Sequence, residues 1–338
     1  MTDLRQVTFR WSDDQPAYDV LVRLISHTDR AYDEGELDRY LMNQDRDGWS
    51  LTLELPAALR TSYQLCPVRD APVRGQKVDD ERWTAIMAAG VPDPLNPLTH
   101  PAGCTYGNPG PASVLEMPAA PSKAARSGTT ESVVRQQVLD DGSVVTIAQP
   151  ADPQGLAVLF DGARWIDLGL PNHLDLPITV VLIESIRGLP RREALARPEV
   201  FAPVAIELAE RWATTGPTAL IGQSLGGLAA TFTARQRPDL FDTVVGQSSS
   251  FWWDADGFDG ASVIDELEQG PLTTQRFFYE AGSTEGDLLI GNRRLAAVLA
   301  ERGYDSTYRE YEGGHDYACW QVGLIDALHW AFPASRRS

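Results

Sequence analysis

The sequence predicts an α/β fold with an all-β, sandwich-like domain in front of it, and three observations carry that prediction. The first 125 residues alternate apolar and polar side chains in short runs, as half-buried strands do. From Ser132 onward, short apolar runs take turns with helical stretches of ten residues or more. Between the two lies a stretch rich in Pro, Gly and Ser.

In the first half, Trp49, Leu51, Leu53 and Leu55 alternate with Ser50, Thr52 and Glu54, a period of two. Tyr18–Ile25 and Ser62–Val68 are further strand candidates, and residues 81–89 form a short helix that Pro92 and Pro94 prevent from growing. Short strands separated by turns indicate a small β-sandwich. The connector runs from Pro92 to Gly128 and contains DPLNP, NPGPAS and PAAPS. A domain boundary is expected at Ser122–Thr129, dividing the chain into residues 1–125 and 126–338.

In the second half the expected strands are Leu156–Phe160, Ile178–Ile183, Ala219–Gly222, Thr243–Gly246, Arg276–Glu280 and Thr307–Tyr311. The expected helices are 199–214, 225–236, 290–302 and 321–331, the third stopped by Gly303. This alternation argues for a mostly parallel sheet covered by helices on both faces. In such sheets the ligand site lies at the carboxyl ends of the strands.

Composition narrows the function. The 338 residues carry 47 Asp and Glu against 29 Lys and Arg, a formal charge of −18. Such a surface repels nucleic-acid phosphates and anionic membranes, so neither is an expected partner. No apolar run is long enough to span a bilayer. Cys66, Cys104 and Cys319 are odd in number and lack metal-ligand spacing, and the start MTDLRQVTFRW has no secretory pattern, so a reduced, cytoplasmic setting is expected.

The chemistry centres on Gly222-Gln223-Ser224-Leu225-Gly226. An apolar strand leads in and a small-residue helix leads out, which is the strand–turn–helix of a nucleophile elbow. Ser224 is the expected nucleophile, and the backbone N–H of Leu225 an expected oxyanion donor. A serine needs a base, and His315, in Gly313-Gly314-His315-Asp316, follows the last strand as the chain order requires. His27 and His100 lie in the wrong half, His173 comes too early, and His329 sits inside a helix. The third member should be a carboxylate after Arg276–Glu280, and both Glu285 and Asp287 qualify, Glu285 being the first choice. A second oxyanion donor is expected from the backbone of Ala163, in the turn after Phe160.

Residues around these loops hint at a ligand. Phe251, Trp252 and Trp253 follow a strand, and adjacent side chains point different ways, so one of them offers a stacking face. Arg164, Arg187, Arg191 and Arg192 can form a local positive patch in an acidic protein.

Taken together, these stretches identify the chain as similar to the enterochelin (enterobactin) esterases. The resemblance spans nearly the whole chain and rests on DPLNP near Asp93, SVLEMPAAP at Ser113–Pro121, LFDGARW at Leu159–Trp165, GQSLGG, QSSSFWW and GGHDYACW. SVLEMPAAP is the most distinctive, since it carries no catalytic logic. The resemblance implies an α/β-hydrolase domain with an N-terminal β-sandwich lid, and a serine esterase that opens the trilactone of a catecholate siderophore to release iron. Ser224 and His315 match the family's catalytic pair, and Arg191 matches an Arg of the family. Arg164, Trp165, Arg187, Arg191, Trp252 and Trp253 become expected substrate contacts. No cofactor is implied, and iron would arrive only within the substrate. Ala194 and Pro198 depart from the family's Glu and Asn. The competing expectations are an acyltransferase or thioesterase, a carbohydrate esterase, and a siderophore-binding protein without turnover.

Overall fold

The computed structural model describes residues 3–13, 15–104, 110–121, 130–255 and 258–333. The boundary expected at Ser122–Thr129 lies outside these residues, as does connector segment 105–109. The chain divides into two compact units.

The first unit contains Met1–Ser122 together with Gly282–Thr284 and Tyr311–Cys319. Its strands are β1 (Leu4–Trp11), β2 (Asp19–Leu24), β3 (Asn43–Asp45), β4 (Gly48–Pro56), β5 (Arg60–Val68), β6 (Thr99–His100) and β7 (Ala112–Glu116). Its helices are α1 (His27–Asp33) and α2 (Asp80–Ala88). They build two antiparallel sheets, β1-β4-β3 and β2-β5-β7-β6. One apolar core draws on both sheets, with Phe9 set edge-on to Tyr63 at 5.1 Å. Every residue of β2 and β5 is buried, so these two strands do not show the in–out alternation of a half-buried strand. Asp79 caps α2 by accepting the Arg82 N–H at 2.9 Å, which starts the helix at Asp80, one residue ahead of the expected 81.

The second unit contains Lys123–Ala281, Glu285–Glu310 and Trp320–Ser338. After residue 130 the strands are β8 (Ser132–Val138), β9 (Val144–Pro150), β10 (Leu156–Leu159), β11 (Thr179–Ser185), β12 (Thr218–Gln223), β13 (Thr243–Gln247), the short pair β14 (Asp254–Ala255) and β15 (Phe258–Asp259), β16 (Arg276–Gly282) and β17 (Ser306–Tyr311). The helices are α3 (Gly162–Asp167), α4 (Arg191–Leu195), α5 (Pro198–Arg211), α6 (Leu225–Gln236), α7 (Gly260–Gln269), α8 (Asp287–Arg302) and α9 (Tyr317–Ala331). Eight strands form one sheet in the order β17-β16-β13-β12-β10-β11-β9-β8. The central pairs are parallel, as expected. The β8–β9 edge is an antiparallel hairpin that the sequence reading missed, closed around Gly142 at φ 85°. Among the described residues no helix is long and apolar enough to cross a membrane.

Helix ends moved for local reasons. The helix expected over 199–214 stops at Arg211, before the Thr-Thr-Gly-Pro run that cannot extend it. The fourth starts at Tyr317 rather than 321, and α7 was not anticipated. The parallel register brings the carboxyl ends of β10, β12, β13 and β16 to one edge of the sheet, and the candidate residues of this unit cluster on the loops there.

Candidate active site

The turn from β12 into α6 holds Ser224 at φ 58°, ψ −126°, in the left-handed half of backbone space that a non-glycine residue rarely enters. Two backbone bonds fix it there: the Ser224 N–H donates to the Gln247 carbonyl at 2.9 Å, and the Ser250 N–H donates to the Ser224 carbonyl at 3.0 Å. Ser224 Oγ lies 3.3 Å from Ser250 Oγ. The glycines around it answer a packing demand. A methyl on Gly222 would sit 2.0 Å from the Gly226 carbonyl oxygen, and one on Gly227 would sit 2.2 Å from Ser249 Oγ. Leu225 opens α6, where the first N–H groups have no acceptor within the helix.

The second loop follows β10. Asp161 takes φ 59°, and Gly162 begins α3 so close to β11 that a Cβ there would meet the Leu182 carbonyl carbon at 2.5 Å. Ala163 follows within α3. Asp161 is held by Arg191, whose Nε and Nη2 donate to its two carboxylate oxygens at 2.5 and 2.6 Å. The same Nη2 donates to the Gln223 carbonyl at 3.2 Å. Arg191 therefore ties the Ala163 loop to the residue before Ser224, an intramolecular task the sequence reading did not foresee.

The other expected contacts separate by exposure. Trp165 is fully buried, and its indole N–H donates to Gln223 Oε1 at 3.0 Å; this is a correction, because a side chain with no exposed surface packs beneath the site rather than lining it. Arg164 pairs with Asp167 at 3.2 Å and Arg187 with Asp141 at 3.1 Å. Phe251 and Trp253 are buried, with the Arg192 guanidinium 4.9 Å over the Trp253 ring, while Trp252 is 56% exposed. Of the aromatic triplet, Trp252 offers the open face.

Glu285 lies in the turn after β16, and Asp287 is exposed in the first turn of α8. Ser248 Oγ donates to Glu285 Oε1 at 2.7 Å and itself accepts from the Trp320 indole N–H at 2.8 Å. Ser248 also has positive φ, 49°, so it is aimed by the fold much as Ser224 is.

Sequence reasoning missed a buried polar ladder in this unit. Gln223, Gln247 and Glu280 are register partners on β12, β13 and β16. Gln223 Nε2 donates to Gln247 Oε1 at 2.8 Å, Gln247 Nε2 donates to Glu280 Oε1 at 2.6 Å, and Arg309 Nε donates to Glu280 Oε2 at 2.7 Å. An ionised Glu280 can only accept, so it dictates which way both amides point. Burial pushes the Glu280 carboxyl up from its ordinary range, and Arg309 opposes that push. A signal was present: Gly-Gln-Ser occurs twice, at 222–224 and 246–248, ending two neighbouring strands in register.

His315 belongs to the first unit. It is half-buried, and its backbone N–H donates to Ser26 Oγ at 3.0 Å. Asp316, next to it, is buried. Among the remaining histidines, His329 pairs with Asp175 at 3.0 Å, and His27 is pushed below its ordinary pKa by burial.

Comparison with known proteins adds the following. Residues 6–126 match the family model described as enterochelin esterase, N-terminal, and residues 204–331 match the esterase model. The iron(III) salmochelin esterase of Escherichia coli O6:H1 (strain CFT073) is 30% identical, covering 96% of this chain and 87% of that protein. The ferric enterobactin esterase structure from Salmonella typhimurium aligns with a TM-score of 0.80 at 27% identity, covering 96% of this chain and 92% of that one. The Shigella flexneri enterobactin esterase, solved in the presence of enterobactin, aligns with a TM-score of 0.77 at 25% identity and the same coverage.

Proposed function

This chain belongs to the enterochelin esterase family, and on that premise we propose that it is a serine esterase hydrolysing the ester bonds of a catecholate siderophore trilactone. The reading rests on one observation above the others: Ser224 at φ 58° on the β12–α6 turn, at the head of a helix whose first turn no N-cap side chain closes.

In this mechanism Ser224 Oγ attacks a lactone carbonyl while His315 takes its proton. The backbone N–H groups of Leu225 and Ala163 hold the tetrahedral oxyanion, one such donor being worth about 3 kcal/mol of barrier. His315 then protonates the departing seryl alkoxide, and water releases the acyl-enzyme. Glu285 orients the imidazole; its bond to Ser248 supports it over Asp287, which stands exposed. No step calls for a resident cofactor, and iron enters as the substrate's cargo. A ferric tris-catecholate is anionic, so Arg164 and Arg187, each about two-fifths exposed, offset the −18 chain, and Trp252 stacks on a catechol ring. The reading extends to a cytoplasmic setting, in keeping with the odd cysteine count; burial pushes the Cys66 thiol up to about 12, which keeps it inert.

The test is a time course with enterobactin, apo and ferric, followed by mass spectrometry. Wild type yields linear trimer and shorter seryl catechols, while Ser224→Ala loses at least 10³-fold in kcat and no longer reacts with a fluorophosphonate. Ester hydrolysis surviving at wild-type rate in Ser224→Ala defeats the proposal.

A further inference from the structure

We propose that the N-terminal β-domain is the mount of the general base, acting through Ser26 and Asp316 as positioning residues for His315. The inference rests on the reading of His315 as base and goes beyond the lid role that resemblance assigns to this domain.

The loop Tyr311–Cys319 belongs to the same compact unit as the N-terminal sheets. Its attachments surround His315 on both sides in the chain. Upstream, the Arg60 N–H donates to the Glu312 carbonyl at 3.2 Å. The Thr284 N–H and hydroxyl both donate to the Gly313 carbonyl, at 3.1 and 2.8 Å. At His315 itself, the backbone N–H donates to Ser26 Oγ at 3.0 Å. Downstream, the Asp316 carboxylate is 3% exposed and gathers four donors. Ser62 Oγ donates at 2.7 Å, the Ala318 N–H at 2.9 Å and Thr61 Oγ1 at 3.2 Å, and the Ser62 N–H completes the set. Arg60 Nε then donates to the Ala318 carbonyl at 2.6 Å, and Cys319 Sγ donates to the Arg60 carbonyl at 2.9 Å.

The glycines before His315 exist for this seat. A Cβ on Gly314 would lie 2.1 Å from Ser26 Oγ, and one on Gly313 would lie 2.8 Å from the Arg60 carbonyl oxygen and 2.6 Å from Cys319 Sγ. Ser26 is aimed by its own backbone, at φ 66°, and its N–H is tied to Asp29 Oδ2 at 3.1 Å. A strained serine on one side and a carboxylate with four donors on the other over-determine the backbone of one histidine. A lid that only recognises substrate needs neither. Misplacing a reacting group by about 1 Å costs on the order of 10²-fold in rate, so loosening this seat acts on kcat.

The experiment uses the full chain, with p-nitrophenyl acetate as a substrate too small to need siderophore recognition and enterobactin as one that does. Asp316→Asn turns an amide N–H₂ toward a backbone N–H that can only donate, that of Ser62 or that of Ala318; Ser26→Ala removes one acceptor and is the gentler change. Active sites are counted by the end point of fluorophosphonate labelling. The expected result for both variants is full labelling with kcat on both substrates reduced, roughly 10–100-fold for Asp316→Asn and several-fold for Ser26→Ala, at KM within twofold of wild type. A raised KM for enterobactin with unchanged kcat, a wild-type kcat per labelled site, or no change at all overturns the proposal. His315→Ala runs alongside. If it hydrolyses p-nitrophenyl acetate at the wild-type rate, the assignment of the base has failed and this inference falls with it; if it is inactive while the two variants are normal, only this inference has failed.

Discussion

Replacing Arg191 by Ala tests whether this side chain serves the substrate or the protein. The change removes both guanidinium bonds from the Asp161 carboxylate, which is only 6% exposed. Stripping the partner from a buried ion pair costs about 3–5 kcal/mol. The Arg191 side chain is 46% exposed, so water makes good part of that loss, and about 1–3 kcal/mol remains. Asp161 also sits at φ 59°, and an unpaired carboxylate there relaxes toward ordinary backbone space. That relaxation swings Gly162 and Ala163 away from the elbow and weakens an oxyanion donor worth about 3 kcal/mol. The expected outcome is a kcat reduced roughly 10–100-fold at nearly constant KM, on small esters and siderophore alike. Arg191→Lys keeps the charge without the two-point fork and recovers only part of it. Steady-state kinetics on both substrates decide the matter. A several-fold rise in KM for the anionic siderophore alone, at unchanged kcat, refutes the reasoning and makes Arg191 a substrate contact.

Three further outcomes follow from local geometry. Gly222→Ala drives a methyl into the backbone of Gly226, which has no rotamer to yield, so stability should fall by about 3 kcal/mol or more in urea titration; an unshifted midpoint would show that the elbow can open. Gln247→Leu leaves the Gln223 amide and the Glu280 carboxylate each short of a partner, an expected loss of about 2–4 kcal/mol measured by thermal unfolding, with a wild-type Tm counting against the ladder. Asp259 caps α7 through the Ser262 N–H at 2.7 Å, and bonding to Ser262 lowers its pKa. A lowered carboxyl contributes stability above its unfolded value of about 3.9 and loses it as pH falls through the folded value. Asp259→Ala should therefore cost about 1 kcal/mol at neutral pH, with the gap to wild type closing below about pH 4; a gap independent of pH would rule out the carboxylate as its source.

Much of the fold was legible because its signals are local. The apolar strands around Leu156, Ile178, Ala219, Thr243 and Arg276 lie where expected, since buried parallel strands need continuous apolar runs. The Ser224 elbow was legible for a similar reason: its backbone needs small residues at 222 and 226, and the sequence has them. The β8–β9 hairpin was not, because Val133, Val134 and Val138 are exposed on an edge and follow no burial period. Trp165 read as a ligand-facing ring and is buried. Its partner Gln223 lies 58 positions away, and no local pattern encodes such a distance.

By itself the sequence determined the class of chemistry, the strand–helix alternation and the positions where glycine is indispensable. These depend on side-chain size and period within a few neighbours. Tertiary structure alone decided what each polar side chain holds. Arg191 clamps Asp161, Gln223 and Gln247 line up beneath the elbow, and Asp316 ties the histidine loop to β5. A hydrogen bond is specified by where two groups meet in space, and folding brings together groups up to 289 positions apart in the chain.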